Sequence, residues 1–282
     1  MKTALGVIGR LENRYAVEWV EYYKQLGIDH IFIADNNHDG EEYFEDVLQS
    51  YIDENFVSIL NYRNQLHIQE KFYTEMYNKI GNEYDWIMFF DFDEFLTLTE
   101  DKTIQDYLSR NEKYNVICIN WKAYTDNDLI YDDGRPCLER FTKSINNKED
   151  INNTFVKSII KCNINNVIFN NAHIPTSISN NLIYGNNEFN DFIGTNIMYN
   201  PINHNLAYIK HFYTKTIEEF IKYKVKKKGD MTSAWHDTDE SYIKTRTKSF
   251  FEINNINEDK IIFLKNYYND NDIKEYFCIN IT

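Results

Sequence analysis

"WIMFFDFDEF", Trp86 to Phe95, runs an apolar and aromatic segment directly into three acids, Asp91, Asp93 and Glu94. A short apolar run of this kind reads as a buried strand. A carboxylate withdrawn from water is costly unless a cation or hydrogen bonds compensate it, so acids clustered at a strand mouth require a partner. Side chains alternate along an extended segment, which puts Asp91 and Asp93 on one side and Phe92 on the other. Two carboxylates so placed suit a hard divalent cation that keeps some of its waters and shares oxygen ligands with a diphosphate. Glu94 is read as the residue that orients the loop.

Upstream, short apolar runs alternate with amphipathic stretches. "ALGVIG" (Ala4 to Gly9), "HIFIAD" (His30 to Asp35) and "FVSIL" read as strands. Between them, "YAVEWVEYYKQLG" places Val17, Val20, Tyr23 and Leu26 at helical spacing with Gly27 as the stop, and further helices are expected near Tyr43 to Tyr51 and Gln65 to Ile80. This alternation predicts an α/β fold with a mostly parallel, doubly wound sheet. Ligands of such sheets sit at the carboxyl ends of the strands. Asp35, Asp91 and Asp93 fall there, and Glu12 and Asn13 follow the first strand. Asp35 also suits a turn-capping role at Asn36 and Asn37.

Downstream, "NVICINW", "TFVKSIIKC" and "NVIFN" read as strands. "TIEEFIKYKVKKKG" (Thr216 to Gly229) reads as a helix whose lysines crowd the end that the helix dipole favours. No linker or repeat interrupts the chain. The expected division is a catalytic domain over residues 1–229 and a helical extension over 230–282.

The net charge of -14 argues against nucleic-acid binding, because a polyanion is repelled. Cys118, Cys137, Cys162 and Cys278 form no CxxC pair, so neither a zinc knuckle nor a disulfide framework is indicated. The N-terminal apolar stretch is too short for a signal peptide, and no run reaches the ~18 apolar residues of a membrane span. A cytoplasmic protein is expected. Lys222, Lys224, Lys226, Lys227 and Lys228 suit a solvated helix end, and they also admit contact with a donor diphosphate, an anionic lipid-linked acceptor or the inner face of a membrane. Lys157, inside an apolar strand, requires a carboxylate or phosphate partner if buried. Trp121, Tyr124 and Trp235 are candidates for an aromatic wall against a sugar.

"LENRYAVEWVEYYKQLGIDHIFIADNN", "RNQLHIQEKFYTEMYN" and "DWIMFFDFDEFL" resemble the family-2-like glycosyltransferases, in particular glycosyltransferase family 92. "VKSIIKCNINNVIFNNAHIP" and "IKHFYTKTIEEFIKYKVKKKG" continue the resemblance in order, from about Leu11 to Gly229. The resemblance implies a GT-A fold, a nucleotide-sugar donor such as a UDP-sugar, a glycan or lipid-linked acceptor, and Mn2+ or Mg2+. It implies Asp91 and Asp93 as acids for the metal and for the diphosphate and ribose, with Asp35 at the nucleoside. Glu12, Arg63 and Gln69 then belong to the donor pocket. His211 approaches the metal from the C-terminal side, and Lys215 adds positive charge at the phosphates. The glycines of the family's acceptor segment are mostly absent from "WKAYTDNDLIYDDG", so acceptor identity does not carry over.

The resemblance favours inversion, which needs a carboxylate to take the acceptor hydroxyl's proton. Asp126, Asp128, Asp132, Asp133 and Glu139 lie in the expected region, with Asp132 and Glu139 preferred. A sugar nucleotidyltransferase is the alternative enzyme, but "GVIGRLENR" lacks the density of a glycine-rich, basic phosphate loop. A non-catalytic carbohydrate-binding protein explains the aromatic residues and not the paired acids.

Overall fold

In the structure, a computed structural model, residues 1–145, 150–177, 182–186, 191–192, 197, 202–225, 247–248 and 250–277 are described. Strands β1 (Thr3–Gly9), β2 (His30–Asp35), β3 (Val57–Asn61) and β4 (Trp86–Phe89) form a parallel unit in the order β3-β2-β1-β4. They are followed by β5 (Glu94–Leu98), β6 (Val116–Ala123) and β7 (Val156–Lys161). Strand β7 runs antiparallel between β4 and β6. A separate hairpin is made by β8 (Val167–Phe169) and β9 (Pro175–Ser177), while β10 (Tyr184–Asn186) and β11 (Asp191–Phe192) extend the edge beyond β6. Strand β12 (Ala207–His211) pairs antiparallel with β5 and parallel with β6.

Helices α1 (Asn13–Leu26) and α2 (Glu45–Asp53) cover one face of this sheet, and α3 (Gln69–Ile80) covers the other. Tyr15, Trp19 and Tyr23, each one turn apart on α1, are buried with Ala16 and Val20, and Gly27 ends the helix at φ +95°. Val17, expected on that face, is exposed. The aromatic residues set the stripe, and Val17 falls a third of a turn away from it. Shorter helices are α4 (Ile104–Ser109), α5 (Cys137–Arg140), α6 (Ile217–Glu219), α7 (Glu258–Leu264) and α8 (Asp270–Phe277). Helix α6 continues into a π-helical turn, Phe220–Val225, rather than the single helix expected over Thr216 to Gly229. Ile217, Phe220 and Ile221 pack with Phe250, Phe263 and Phe277 in a third apolar cluster. Residues 226–246, with Lys226, Lys227, Lys228, Trp235 and the expected boundary at 229/230, lie outside the described residues, as does Cys278.

The sheet edge that matters is set by close packing. A Cβ on Gly9 would lie 2.6 Å from the Phe92 ring, so only glycine lets that ring lie over the end of β1. Phe92 in turn stacks on Phe44 and tilts against Trp19. These contacts hold the segment after β4 in place. Among the described residues, no helix is long and apolar enough to cross a membrane.

Candidate functional site

Strand β4 ends at Phe89, before the acids. Asp91 to Glu94 form a turn in which the Glu94 N–H donates to the Asp91 carbonyl at 2.9 Å and the Asp91 N–H donates to Glu94 Oε2 at 2.9 Å. The Trp19 Nε1–H also donates to the Asp91 carbonyl, at 2.9 Å. The expectation of an extended segment with both aspartates on one side is therefore corrected. Glu94 locks the turn, as its expected role requires, and the two aspartates meet different surroundings.

Asp91 keeps 35% of its side chain exposed and accepts from Lys157 Nζ at 2.9 Å. Gln69 Nε2 reaches its other oxygen at 3.4 Å. Lys157 is the buried strand lysine that demanded a partner, and it also lies 3.4 Å from Glu94 Oε2. Burial pushes the Glu94 carboxyl well up, with Lys157 opposing and Asp91 adding to the shift.

Asp93 is buried, and its partners are cationic. Lys224 Nζ lies 2.7 Å and Lys215 Nζ 3.8 Å from Oδ2, and His211 Nε2 lies 3.7 Å from Oδ1. Burial works to raise this carboxyl, but Lys224 and Lys215 overcome it and hold Asp93 well below the usual carboxylate range. Pairing of β12 with β5 sets His211 opposite Glu94, and its ring sits 4.0 Å from Trp121. Burial lowers its pKa to about 4, so it is neutral. Lys215 has φ +50°, uncommon for a residue with a side chain, and its ammonium lies 4.2 Å over the Tyr15 ring.

Glu12 belongs to the same group. Its Oε2 is buried without a hydrogen-bond partner, and burial raises its pKa to about 7 against the pull of Lys215 and Lys224. Along the edge, Asp35 Oδ1 accepts from the backbone and side chain of Asn37, while Oδ2 pairs with Arg63 at 2.6 Å. Asp35 thus caps the turn and anchors Arg63, whose guanidinium lies 4.0 Å over the half-exposed Tyr43 ring. Arg63 also donates to the Glu42 carbonyl, and the Glu42 side chain accepts from the Asn13 N–H next to Glu12.

The two expected bases stand apart from this group. Asp132 receives two hydrogen bonds from Arg14, at 2.9 and 2.8 Å, and lies 3.3 Å from Arg140. Although burial acts to raise it, the Arg14 contact keeps its pKa low, which makes it a poor proton acceptor. Glu139 is exposed on α5. Asp126 is buried against Lys260 at 2.6 Å and ties α7 to this region.

The divalent ion expected at Asp91, Asp93 and His211 does not fit this donor set. Each aspartate already has an ammonium within 3 Å, and a second stands near Asp93. Like unit charges 4 Å apart repel by about 4 kcal/mol in a protein site, and a divalent ion doubles that. Among the described residues, no three His, Cys, Asp or Glu side chains converge in a way that could hold a metal. Sequence reading named Lys224 only as part of a basic run; nothing local to it marks Asp93, 131 residues away, as its partner.

The profile of glycosyltransferase family 92 matches residues 12–192. The chain belongs to glycosyltransferase family 92. A family 92 protein of Ricinus communis is 31% identical over 97 residues, covering 34% of this chain and 17% of that protein. One of Oryza sativa subsp. japonica is 30% identical over 100 residues, covering 35% and 17%. The matches span about a sixth of the length of these curated relatives. Among solved structures, S. aureus TarS in complex with UDP-GlcNAc is similar with a TM-score of 0.47 and 9% identity, over 97% of this chain and 75% of that one. The family 92 assignment agrees with the GT-A expectation: a doubly wound sheet whose acids gather at the carboxyl ends of β1, β2 and β4.

Proposed function

We propose that this chain is a glycosyltransferase that moves a sugar from a UDP-sugar to a hydroxyl of a glycan or lipid-linked acceptor, with inversion. One observation carries this reading. On the carboxyl edge of a family 92 sheet, Glu12, the Asp35–Arg63 pair, Asp91 and the Asp93–Lys215–Lys224 group adjoin one another, although they come from distant parts of the sequence. Arg63 and the exposed Tyr43 ring form a flat surface suited to a nucleobase, and Asp91 is accessible to ribose hydroxyls. In the reaction the acceptor oxygen attacks the anomeric carbon, the bond to the diphosphate breaks, and UDP leaves with the bonding electrons. The acceptor proton passes to a carboxylate, for which Glu139 is the better of the two sequence candidates because Asp132 is bound by arginine. Such an enzyme would work in the cytoplasm, meeting lipid-linked acceptors at a membrane face.

Nucleotidyl transfer is less well supported. It requires a basic phosphate loop after β1, and the arginines there are engaged by carboxylates, Arg10 with Glu41 at 2.7 Å and Arg14 with Asp132. UDP release from a panel of UDP-sugars, with and without candidate acceptors, tests the proposal. Turnover of at least one UDP-sugar is expected, and release of pyrophosphate from UTP and a sugar 1-phosphate would point to the alternative.

A further inference from the structure

The donor's diphosphate brings negative charge to an edge that already holds several carboxylates. We infer that Lys215 and Lys224, rather than a divalent cation, hold the donor diphosphate beside Asp93, so that nucleotide binding is independent of metal. This deepens the UDP-sugar reading above and rests on it.

The charge balance favours it. Asp91 is matched by Lys157, but Asp93 faces both Lys215 and Lys224, and these five side chains leave one positive charge over. A surplus ammonium attracts an anionic diphosphate and repels a cation. The neutral His211 does not change that balance. Accessibility points the same way. Lys224 keeps 30% of its side chain exposed, as Asp91 keeps 35%, whereas Lys157 is fully enclosed and serves only to neutralise Asp91.

Both lysines are held by structure built for the purpose of fixing them. Lys224 rides on the π-helical turn that continues α6. Helix α6 begins with a capping box between Thr216 and Glu219, and Glu219 is clamped by the buried Arg140 guanidinium at 2.8 and 2.9 Å. Ile217, Phe220 and Ile221 anchor the same segment in the third apolar cluster. π-Helical turns recur at functional sites because they redirect a side chain without breaking the helix. Lys215 is 5% exposed and is fixed in a left-handed backbone conformation against Tyr15 and Asp93. Such conformations persist where the surroundings over-determine them.

Calorimetric titration of UDP and UMP into the full chain, in EDTA and then in Mn2+, tests the inference. UDP is expected to bind in EDTA more tightly than UMP, with a Kd that manganese changes by less than about threefold. Lys224→Met should weaken UDP at least tenfold and remove most of its advantage over UMP, and Lys224→Arg should restore it; circular dichroism checks that each variant is folded. Binding of UDP only in manganese would overturn the inference while leaving the donor reading intact. Unchanged UDP affinity in a folded Lys224→Met variant would overturn the role given to that lysine. Failure of UDP to bind under either condition would overturn the donor reading as well.

Discussion

Lys224 Nζ lies 2.7 Å from Asp93 Oδ2, a contact that joins the π-helical turn after α6 to the turn after β4 across 131 residues of sequence. Lys215 shares the same carboxylate oxygen. The acid pair at the mouth of the sheet is thus compensated from within the chain, and the positive charge left beside it defines where an anion can bind.

Asp93→Asn removes the counter-charge from Lys215, which is buried. Breaking a buried ion pair costs about 3–5 kcal/mol, and the partial exposure of Lys224 places this case near 3 kcal/mol. Because Asp93 titrates below its unfolded value, its stabilisation is fully present above the ordinary carboxylate pKa of about 4 and is lost as pH falls further. Urea denaturation should therefore show a gap between wild type and variant that is constant near pH 7 and narrows below about pH 4. A gap that widens on acidification would contradict this.

Glu12→Gln should act in the opposite sense. The folded pKa of about 7 stands above the model-peptide value of 4.5, so the carboxyl costs the fold nothing below pH 4.5 and progressively more up to pH 7. The variant should match wild type in melting temperature at pH 4 and exceed it at pH 8. Equal melting temperatures at both pH values would remove Glu12 from the buried group.

Glu219→Gln tests how the lysines are carried. It uncouples the buried Arg140 guanidinium and breaks the capping box of α6, an expected loss of about 3–5 kcal/mol by chemical denaturation. UDP affinity should fall with it under conditions where the variant is still folded, because Lys224 follows on the same segment. A stability loss with unchanged UDP affinity would separate the anchor from the site.

The extension is tied down by charge as well as by apolar packing. Lys260, fully buried, pairs with Asp126, so Lys260→Met leaves a buried carboxylate alone at a cost of about 3 kcal/mol, read from urea denaturation at pH 7. A variant as stable as wild type would mean that α7 is not needed to compensate Asp126.

The parallel unit was legible because each strand and helix there is local. "HIFIAD" is β2 residue for residue, and Gly27 ends α1 as its position announced. The demand of Lys157 for a buried partner was also legible, since a lysine inside an apolar strand has few alternatives. What escaped was non-local. Alternation placed Asp91 and Asp93 on one side, but the backbone turns at Asp91 because Glu94 reaches back to its N–H. Antiparallel insertion of β7 between β4 and β6 and the pairing of β12 with β5 depend on contacts between segments far apart in sequence. The lysines that occupy the expected metal position belong to this second class, since a basic run near a helix end looks the same whether it meets solvent or a carboxylate.

Hydrogen exchange with and without a UDP-sugar addresses the location of the donor site directly. Protection on ligand addition is predicted in the segments around Gly9 to Asn13, Asp35 to Tyr43, Phe89 to Glu94 and His211 to Lys224, with the β8–β9 hairpin unchanged. Protection confined to that hairpin or to α7 and α8, with the carboxyl edge of the sheet unaffected, would contradict the account.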